Sequence, residues 1–289
     1  MTKEGVREKV ALIGSGNWII GGNVTKYDEF QQEVKMWVFE EIINGRKLTD
    51  LINEKHENVK YLPGFTIPEN VKAVPDLLDF VFDICDKLKG QIHPSTKAIS
   101  LIKGFESSET GIRPMSQVIS ESLRISVCSL SGANIANEIA AEKFSETTIG
   151  FNDHEEGELF KKLFETKYFH VGIVDDVVGV ELCGALKNVI AIGCGIVDGL
   201  KLGENTKAAI IRIGFLEMQK FMKMFYNGIK DETFFESCGI ADVIATCYGE
   251  KELLQGQKLQ GTLTVKEINR VLSREGLNDE YVLIITFNY

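Results

Sequence analysis

The sequence predicts an α/β domain followed by an all-helical domain, and a change of pattern along the chain separates the two. Residues 1–174 alternate short β-branched runs with polar or helical stretches, which is typical of a parallel sheet flanked by helices. Residues 175–289 instead contain long apolar segments with helical periodicity. We therefore expect a domain boundary between Val174 and Asp175.

The same patterns place the elements of both domains. Six runs predict the strands of the first domain, at residues 9–13, 34–39, 98–102, 126–130, 147–151 and 170–174. Four apolar segments predict the helices of the second domain, at residues 177–197, 206–226, 234–248 and 265–273. Because a carboxylate accepts hydrogen bonds from the free backbone N–H groups of a first helical turn, we expect Asp175 or Asp176 to cap the first of these helices.

Composition and charge narrow the range of functions. With 44% hydrophobic and 26% charged residues, the 289-residue chain has the composition of a soluble globular protein. A formal net charge of -10 with no basic block disfavours nucleic acid as a partner, because the chain repels a phosphate backbone. A local cationic pocket for a small anionic metabolite is compatible with this charge.

The cysteines, histidines and apolar runs indicate the compartment. Six cysteines lack a C-x-x-C pair and four histidines lack metal-ligand spacing, which predicts reduced thiols and no metal site. Residues 1–9 are too polar for a signal peptide. The longest apolar stretch, residues 189–197, is too short to span a bilayer and is broken by glycines. We expect a cytoplasmic protein without a membrane partner.

A Gly-Ser-Gly-Asn-Trp sequence at residues 14–18 follows the first predicted strand. Its two glycines permit the tight turn and close backbone approach that a dinucleotide pyrophosphate needs. Ile19 stands where a third small residue is expected, and Gly21 and Gly22 interrupt the helix that should follow. An ordinary turn and a dinucleotide-binding turn therefore fit this motif equally well.

Acidic and basic residues stand at the ends of later strands. Phe39 ends the second strand and is followed by Glu40 and Glu41, where an acid would bind a ribose hydroxyl or would simply be solvated. Lys103 follows the strand at residues 98–102, where ligands of α/β sheets gather, although a surface lysine fits as well. The small-residue turn at residues 131–136 could line a cofactor or serve strand-to-helix packing.

Lys187 lies within an otherwise apolar helical segment. Burial lowers the pKa of a lysine toward the range where it exchanges protons, which suits an acid–base group, although a lysine can also extend to solvent. Asp242 interrupts another apolar segment, with Thr246 one helical turn later. An Asp–Lys pair across two helices would be a catalytic dyad or a structural ion pair.

Taken together and in this order, the motifs resemble the cytosolic NAD-dependent glycerol-3-phosphate dehydrogenases of animals. The similarity covers most of the chain. The motifs that carry it are Met-Trp-Val-Phe-Glu-Glu at 36–41, His-Glu-Asn-Val-Lys-Tyr-Leu at 56–62, Ser-Leu-Ile-Lys-Gly at 100–104, Gly-Ala-Asn-Ile-Ala at 132–136, Cys-Gly-Ala-Leu-Lys-Asn at 183–188, Asn-Thr-Lys-Ala-Ala at 205–209, Glu-Ser-Cys-Gly at 236–239 and Gly-Gln-Lys-Leu-Gln-Gly at 256–261.

The resemblance implies a Rossmann-like NAD-binding domain over residues 1–174 and a helical substrate and catalytic domain over residues 175–289. It also implies reversible hydride transfer between NADH and dihydroxyacetone phosphate, which gives sn-glycerol 3-phosphate. No metal ion is implied, and the expected assembly is a homodimer.

Site residues follow from the same resemblance. Lys187 would be the acid–base group, Asp242 would orient and polarise it, and Lys103 would stabilise the developing alkoxide. Asn188 and Thr246 would hold the substrate. The implied cofactor contacts are Gly14, Ser15, Gly16, Asn17, Trp18, Phe39, Phe82, Lys103, Ala136, Lys258 and Gln260.

The chain departs from the family pattern at three points. The third glycine is missing after Trp18, and residues 77–84 replace a helix, a strand and a loop beside the nicotinamide, of which Phe82 would be a remnant. After Gly249 the family carries an Arg-Asn pair that binds substrate phosphate and cofactor, whereas this chain continues with Glu250. The departures keep open two alternatives: a catalytically inactive binding or scaffolding paralogue or isoform, and a related dehydrogenase with another substrate.

Overall fold

A computed structural model describes residues 7–13, 19–38, 40–74, 85–86, 88–108, 111–249, 260–277 and 280–281. The chain divides into two compact units. Unit 1 comprises Met1–Ile92, Ile135–Ser145 and Leu159–His170, and unit 2 comprises His93–Asn134, Glu146–Glu158 and Val171–Tyr289. The predicted division assigns cofactor binding to residues 1–174 and substrate binding and catalysis to residues 175–289. This functional division stays a prediction.

The described residues form thirteen strands and nine α-helices. The strands are β1 Ala11–Ile13, β2 Val34–Trp37, β3 Ile42–Ile43, β4 Arg46–Lys47, β5 Glu57–Asn58, β6 Leu62–Thr66, β7 Val71–Val74, β8 Lys97–Ser100, β9 Phe105–Ser108, β10 Gly111–Pro114, β11 Ser126–Ser131, β12 Ser145–Gly150 and β13 Phe169–Val174. The helices are α1 Ile19–Val24, α2 Leu48–Lys55, α3 Met115–Leu123, α4 Ala136–Ala140, α5 His154–Phe164, α6 Val177–Gly199, α7 Glu204–Phe225, α8 Asp242–Tyr248 and α9 Gln260–Arg274.

Unit 1 contains a three-stranded parallel sheet in the order β1-β2-β7. The alternation of apolar residues in β2 buries Val34 and Met36 completely, which gives the strand one core face. Helix α2 packs against β7 through its apolar stripe, in which Leu48 and Ile52 are buried. The strands predicted at residues 9–13 and 34–39 are thus confirmed over Ala11–Ile13 and Val34–Trp37, and β7 is a strand that the sequence patterns did not indicate.

Helix α1 corrects the expectation that Gly21 and Gly22 interrupt the helix after the glycine turn. The helix continues through both residues. A Cβ on Gly21 would lie 2.3 Å from Val71 Cγ2, so glycine lets α1 approach β7 closely. The buried Asn23 amide donates to the carbonyl oxygens of Leu163 (2.7 Å) and Glu165 (3.1 Å). These tertiary contacts outweigh the low helix propensity of two glycines.

The other predicted strands form a second sheet, with the order β13-β12-β11-β8. Strands β8 and β11 are parallel, whereas β11 and β12 are antiparallel. The expectation of a parallel sheet is therefore wrong for this part of the chain, because β12 is antiparallel to β11. A periodicity of two is the same in parallel and antiparallel strands, so the sequence carries no signal for this difference.

Helix α6 is the central element of the helical part, and it packs against α7, α8 and α9. Its apolar residues face these neighbours on several sides, so it lacks a solvent-facing polar stripe. Among the described helices it alone has the length and hydropathy to cross a membrane, but 72% of its most apolar window is buried inside the protein. The expectation that no apolar segment reaches that length is therefore wrong.

Asp176 caps α6, which resolves the choice between the two aspartates. Its carboxylate accepts from the backbone N–H of Gly179 at 2.7 Å and of Lys230 at 3.0 Å, and from the hydroxyl of Thr233 at 2.7 Å. Asp175 is exposed, and among the described residues it pairs with the Lys230 ammonium. The cap thus ties the start of α6 to the chain that follows α7.

Replacing Asp176 with alanine should lower the free energy of unfolding by about 2–4 kcal/mol, because three donors lose their acceptor. Denaturant unfolding followed by circular dichroism measures the change. Asp175→Ala is the matched control and should cost less than about 1 kcal/mol, since its ion pair is exposed. Equal losses in the two variants would contradict the assignment of the cap.

Candidate active site

Lys187 and Asp242 form a buried ion pair between α6 and α8. The Lys187 ammonium donates to Oδ1 of Asp242, and the two side chains are 9% and 3% exposed. A charged pair at this depth is costly to desolvate, so it points to a functional site more than to a contribution to stability. The structure thus shows that Lys187 and Asp242 meet, as both a catalytic dyad and a structural ion pair require.

The chain before Asp242 explains why its carboxylate points inward. The segment predicted as one helix at residues 234–248 is instead a 3₁₀ turn at Glu232–Phe235, one π-helical turn at Ser237–Ala241, and α8. Gly239 has non-helical backbone angles (φ -88°, ψ -106°), and a Cβ there would lie 2.2 Å from the carbonyl oxygen of Phe234. The close approach excludes any other residue. Turns of π-helix are frequent at functional sites.

Ser237 anchors the π-helical turn to the second sheet. Its hydroxyl donates to the carbonyl oxygen of Glu146 at 2.8 Å and accepts from the backbone N–H of Ala133 at 3.3 Å. The next residue, Cys238, donates its N–H to Oγ1 of Thr148 at 3.3 Å. The position of Asp242 is therefore fixed by strand β12 as well as by its own helix.

Lys103 joins the pair from the sheet side. Its ammonium donates to Oδ2 of Asp242 at 3.2 Å, to the carbonyl oxygen of Gly132 at 3.1 Å and to Oδ1 of Asn134 at 3.1 Å. A Cβ on Gly184 would lie 2.3 Å from Ser131 Oγ and 3.5 Å from Lys103 Cγ, so the glycine in α6 makes room for both. Asp242 thus lies between two ammonium groups and accepts one with each oxygen.

The charges in this cluster do not cancel. Lys103 and Lys187 share one carboxylate, so the cluster has a net positive charge while both are protonated. Burial, together with the positive charge of Lys103, lowers the pKa of Lys187 from 10.5 to about 8, although Asp242 acts in the opposite direction. A lysine with this pKa is mostly protonated at neutral pH and can still release its proton.

Asn188 and Thr246 lie next to the cluster but do not join its ion pairs. Asn188 follows Lys187 in α6, is partly exposed and forms no side-chain hydrogen bond with a described residue. Thr246 lies one turn beyond Asp242 in α8, and its hydroxyl donates to the carbonyl oxygen of Asp242 at 2.7 Å. Their role in substrate binding stays a prediction.

Most of the predicted cofactor contacts lie outside the described residues. These are Gly14, Ser15, Gly16, Asn17, Trp18, Phe39, Phe82 and Lys258. Ala136 is the first residue of α4 in unit 1 and is exposed, and Gln260 is the first residue of α9. Within the described ranges, no group of three or more His, Cys, Asp or Glu side chains is arranged to hold a metal ion.

The sequence patterns left Asn134 without a role. It belongs to the small-residue turn after β11, for which cofactor binding and packing fitted equally, and it accepts a hydrogen bond from Lys103. The sequence feature that could have indicated this role is the position of Asn134 after the carboxyl end of β11, which is parallel to β8, the strand that precedes Lys103. Gly132 contributes a carbonyl oxygen to Lys103, and Gly184 leaves space for the Lys103 stem. Neither role can be predicted from the residue type.

Comparison with known proteins identifies the family. The model of the NAD-dependent glycerol-3-phosphate dehydrogenase C-terminus matches residues 176–286. The model of the N-terminus matches residues 9–81 and 78–157, and the two stretches meet within the predicted departure at residues 77–84. The chain belongs to this family. Its members are NAD-dependent oxidoreductases with a Rossmann-type N-terminal domain and a helical C-terminal domain, which confirms the predicted fold class, cofactor and enzyme class.

Relatives that match 95% of the chain support the same family assignment. The mouse glycerol-3-phosphate dehydrogenase 1-like protein is 48% identical over 317 residues, 95% of this chain and 90% of its own length. The cytoplasmic glycerol-3-phosphate dehydrogenase [NAD(+)] of Drosophila melanogaster is 47% identical over 316 residues, 95% of this chain and 87% of its own length. The cytoplasmic names of such relatives confirm the predicted location. The alignments are longer than the 289 residues of this chain, so the relatives carry stretches that it lacks.

Solved structures show the same fold. Glycerol-3-phosphate dehydrogenase from Saccharomyces cerevisiae is 41% identical with a TM-score of 0.88, over 98% of this chain and 97% of that one. The DsGPDH protein of Dunaliella salina is 39% identical with a TM-score of 0.90, and this chain spans 57% of that longer protein. The inactive paralogue is not favoured, because both family models match and relatives at about 47% identity are named as the enzyme.

The two neighbours of Lys187 should shift its pKa in opposite directions. Lys103→Met removes a positive charge and should raise the pKa of Lys187 above about 8, whereas Asp242→Asn removes its counter-ion and should lower that pKa further. Titration of ¹³Cε-labelled lysines by NMR measures both shifts, with the resonance assigned by its loss in Lys187→Met. Lys223→Met, at an exposed ion pair with Asp231, is the control. Shifts of the same sign in both variants would refute the electrostatic account.

Proposed function

We propose that the chain catalyses reversible hydride transfer between NADH and dihydroxyacetone phosphate, which gives sn-glycerol 3-phosphate. The observation that carries the proposal is the Asp242 carboxylate, which pairs with both Lys187 and Lys103 in a buried site. Carbonyl reduction needs a proton donor and positive charge at the oxygen that becomes an alkoxide. The two lysines supply both requirements.

Lys187 serves as the acid–base group in this proposal. With a pKa of about 8 it is mostly protonated at neutral pH, and it donates its proton to the carbonyl oxygen during reduction. In the reverse direction the neutral amine accepts the hydroxyl proton. Asp242 orients the ammonium through their ion pair, and it keeps the pKa from falling so far that the proton is lost at neutral pH.

Lys103 supplies positive charge at the same oxygen. Its ammonium bonds the other oxygen of Asp242, so both lysines are directed to one place by a single group. The net positive charge of the cluster also favours an anionic substrate. Asn188, whose amide is free of the cluster, and Thr246, whose hydroxyl oxygen retains acceptor capacity, are proposed to hold the substrate hydroxyl groups.

The described part of unit 1 fits a nicotinamide dinucleotide. In the sequence, the parallel strands β1 and β2 are followed by the Gly-Ser-Gly-Asn-Trp motif at residues 14–18 and by Glu40 and Glu41, respectively. Gly21 provides the close helix–strand packing that the third glycine of the fingerprint usually provides. When bound, the cofactor supplies the hydride. The proposed contacts are Gly14, Ser15, Gly16, Asn17, Trp18, Phe39, Phe82, Lys103, Ala136, Lys258 and Gln260.

Three expectations about partners stay predictions. They are the homodimer that the resemblance implies, the absence of a nucleic-acid partner that the net charge of -10 suggests, and the absence of a membrane partner.

Lys187→Met should lower kcat for dihydroxyacetone phosphate reduction by about 100-fold or more, because positioned proton transfer typically contributes that much. NADH affinity should change little, and fluorescence titration with NADH measures it separately from turnover. Lys167→Met, which removes an exposed lysine, is the control and should keep wild-type turnover. Near-native turnover of Lys187→Met at saturating substrate would contradict the acid–base assignment.

The pH dependence should follow Lys187. For reduction, kcat/KM should fall as pH rises through about 8, because the lysine loses the proton that it must donate. For oxidation of sn-glycerol 3-phosphate, kcat/KM should rise through the same range. Initial rates in both directions from pH 6 to 10 would show the two profiles. Rates that stay flat through pH 8, as expected for a lysine with the ordinary pKa of 10.5, would argue against this group.

A further inference from the structure

The side chain of Asn134 faces the Lys103 ammonium. Its Oδ1 accepts a hydrogen bond from Lys103 Nζ at 3.1 Å. An ammonium has three donors and no acceptor, so only the oxygen of the amide, and never its nitrogen, can take this position. The two residues are brought together by the parallel strands β8 and β11, whose carboxyl ends they follow.

The other end of the amide is also held. Nδ2 of Asn134 donates to Oγ1 of Thr147 at 3.5 Å, and the Thr147 hydroxyl donates to the carbonyl oxygen of Ser131 at 3.1 Å. Thr147 is fully buried, so its hydrogen bond to Ser131 is shielded from water, whereas the Asn134 side chain is partly exposed. The hydroxyl has one proton, which is used for Ser131, and it therefore faces the amide as an acceptor. The relay orients the amide oxygen toward Lys103.

The acceptors of Lys103 differ in charge. Two of them, the Gly132 carbonyl and the Asn134 amide, are neutral, and only Asp242 is ionised. Neutral oxygens hold an ammonium in place without cancelling its charge. Among the described residues, Lys103 and Asp242 are the charged groups that shift the pKa of Lys187, so the charge balance at Lys103 also acts on the acid–base group.

We propose that Asn134 is a positioning residue for the reaction: it holds Lys103 at the reacting oxygen with a neutral acceptor, and it thereby preserves the net positive charge of the Lys187–Asp242–Lys103 cluster. The inference rests on the proposed function. It assigns Asn134 a task that an aspartate of nearly the same shape cannot perform.

Asn134→Asp and Asn134→Leu separate the two parts of this task. The aspartate keeps an acceptor in place but adds a negative charge, so we expect kcat/KM for dihydroxyacetone phosphate reduction to fall about tenfold or more. The pKa of Lys187 should rise, because the added charge favours its protonated form. The leucine removes the acceptor, and we expect kcat to fall while NADH affinity is kept. Asn152→Asp, the same charge change at an exposed position, should alter none of these quantities.

Titration of ¹³Cε-labelled lysines by NMR in the full chain gives the pKa of Lys187 without any turnover. Failure of the wild-type chain to reduce dihydroxyacetone phosphate would therefore overturn the proposed function, while the comparison of Lys187 between wild type and Asn134→Asp would still test the role of Asn134. An unchanged Lys187 pKa in Asn134→Asp would overturn the inference, whether turnover and the melting temperature fall or not. A raised pKa with wild-type kcat/KM would overturn it as well. If Asn134→Leu fails to fold, Asn134→Asp decides alone.

Discussion

The contact between one carboxylate and two ammonium groups is the interaction on which the site depends. Asp242 accepts Lys187 with one oxygen and Lys103 with the other, and all three side chains come from different elements: α8, α6 and the loop after β8. Removing one partner of a buried ion pair leaves an uncompensated charge. Each of the three elements must therefore hold its charged side chain in place, or the charges on the other two become destabilising. The chemistry and the packing of unit 2 therefore constrain the same residues.

Close approach of backbones is the geometric condition for that contact. Gly184 lets the end of β11 and the Lys103 stem lie against α6, and Gly239 lets the chain before α8 fold back on the carbonyl of Phe234. Neither glycine has a positive φ. At both positions a Cβ would collide with a neighbouring atom, and at Gly239 the backbone angles (φ -88°, ψ -106°) also lie outside the usual α and β regions. In unit 1, Gly21 meets the same need between α1 and β7.

Periodicity and the resemblance to known enzymes predicted the fold class, the strands at six places, the long helices and the residues Lys187, Asp242 and Lys103. They did not predict features that depend on tertiary contacts, such as which strands pair and where a close approach interrupts a helix. The antiparallel β12 has the same alternation as a parallel strand, and the segment before Asp242 has helical periodicity although Gly239 breaks the helix into a π-helical turn. Asn134 was visible as a polar residue at a strand end, but its hydrogen bond to Lys103 follows only from the pairing of β8 with β11.

The helix that holds Lys187 has the hydropathy of a membrane-spanning segment, yet it is the core of a protein whose relatives are cytoplasmic. An interior this apolar acts as the low-dielectric solvent for the reacting groups. The helix thus positions Lys187 and also provides part of its apolar surroundings. Burial, together with the positive charge of Lys103, holds the Lys187 pKa at about 8 rather than 10.5. Polar substitutions on α6 that do not contact the ion pair would then alter catalysis by raising the local dielectric around Lys187 and Asp242.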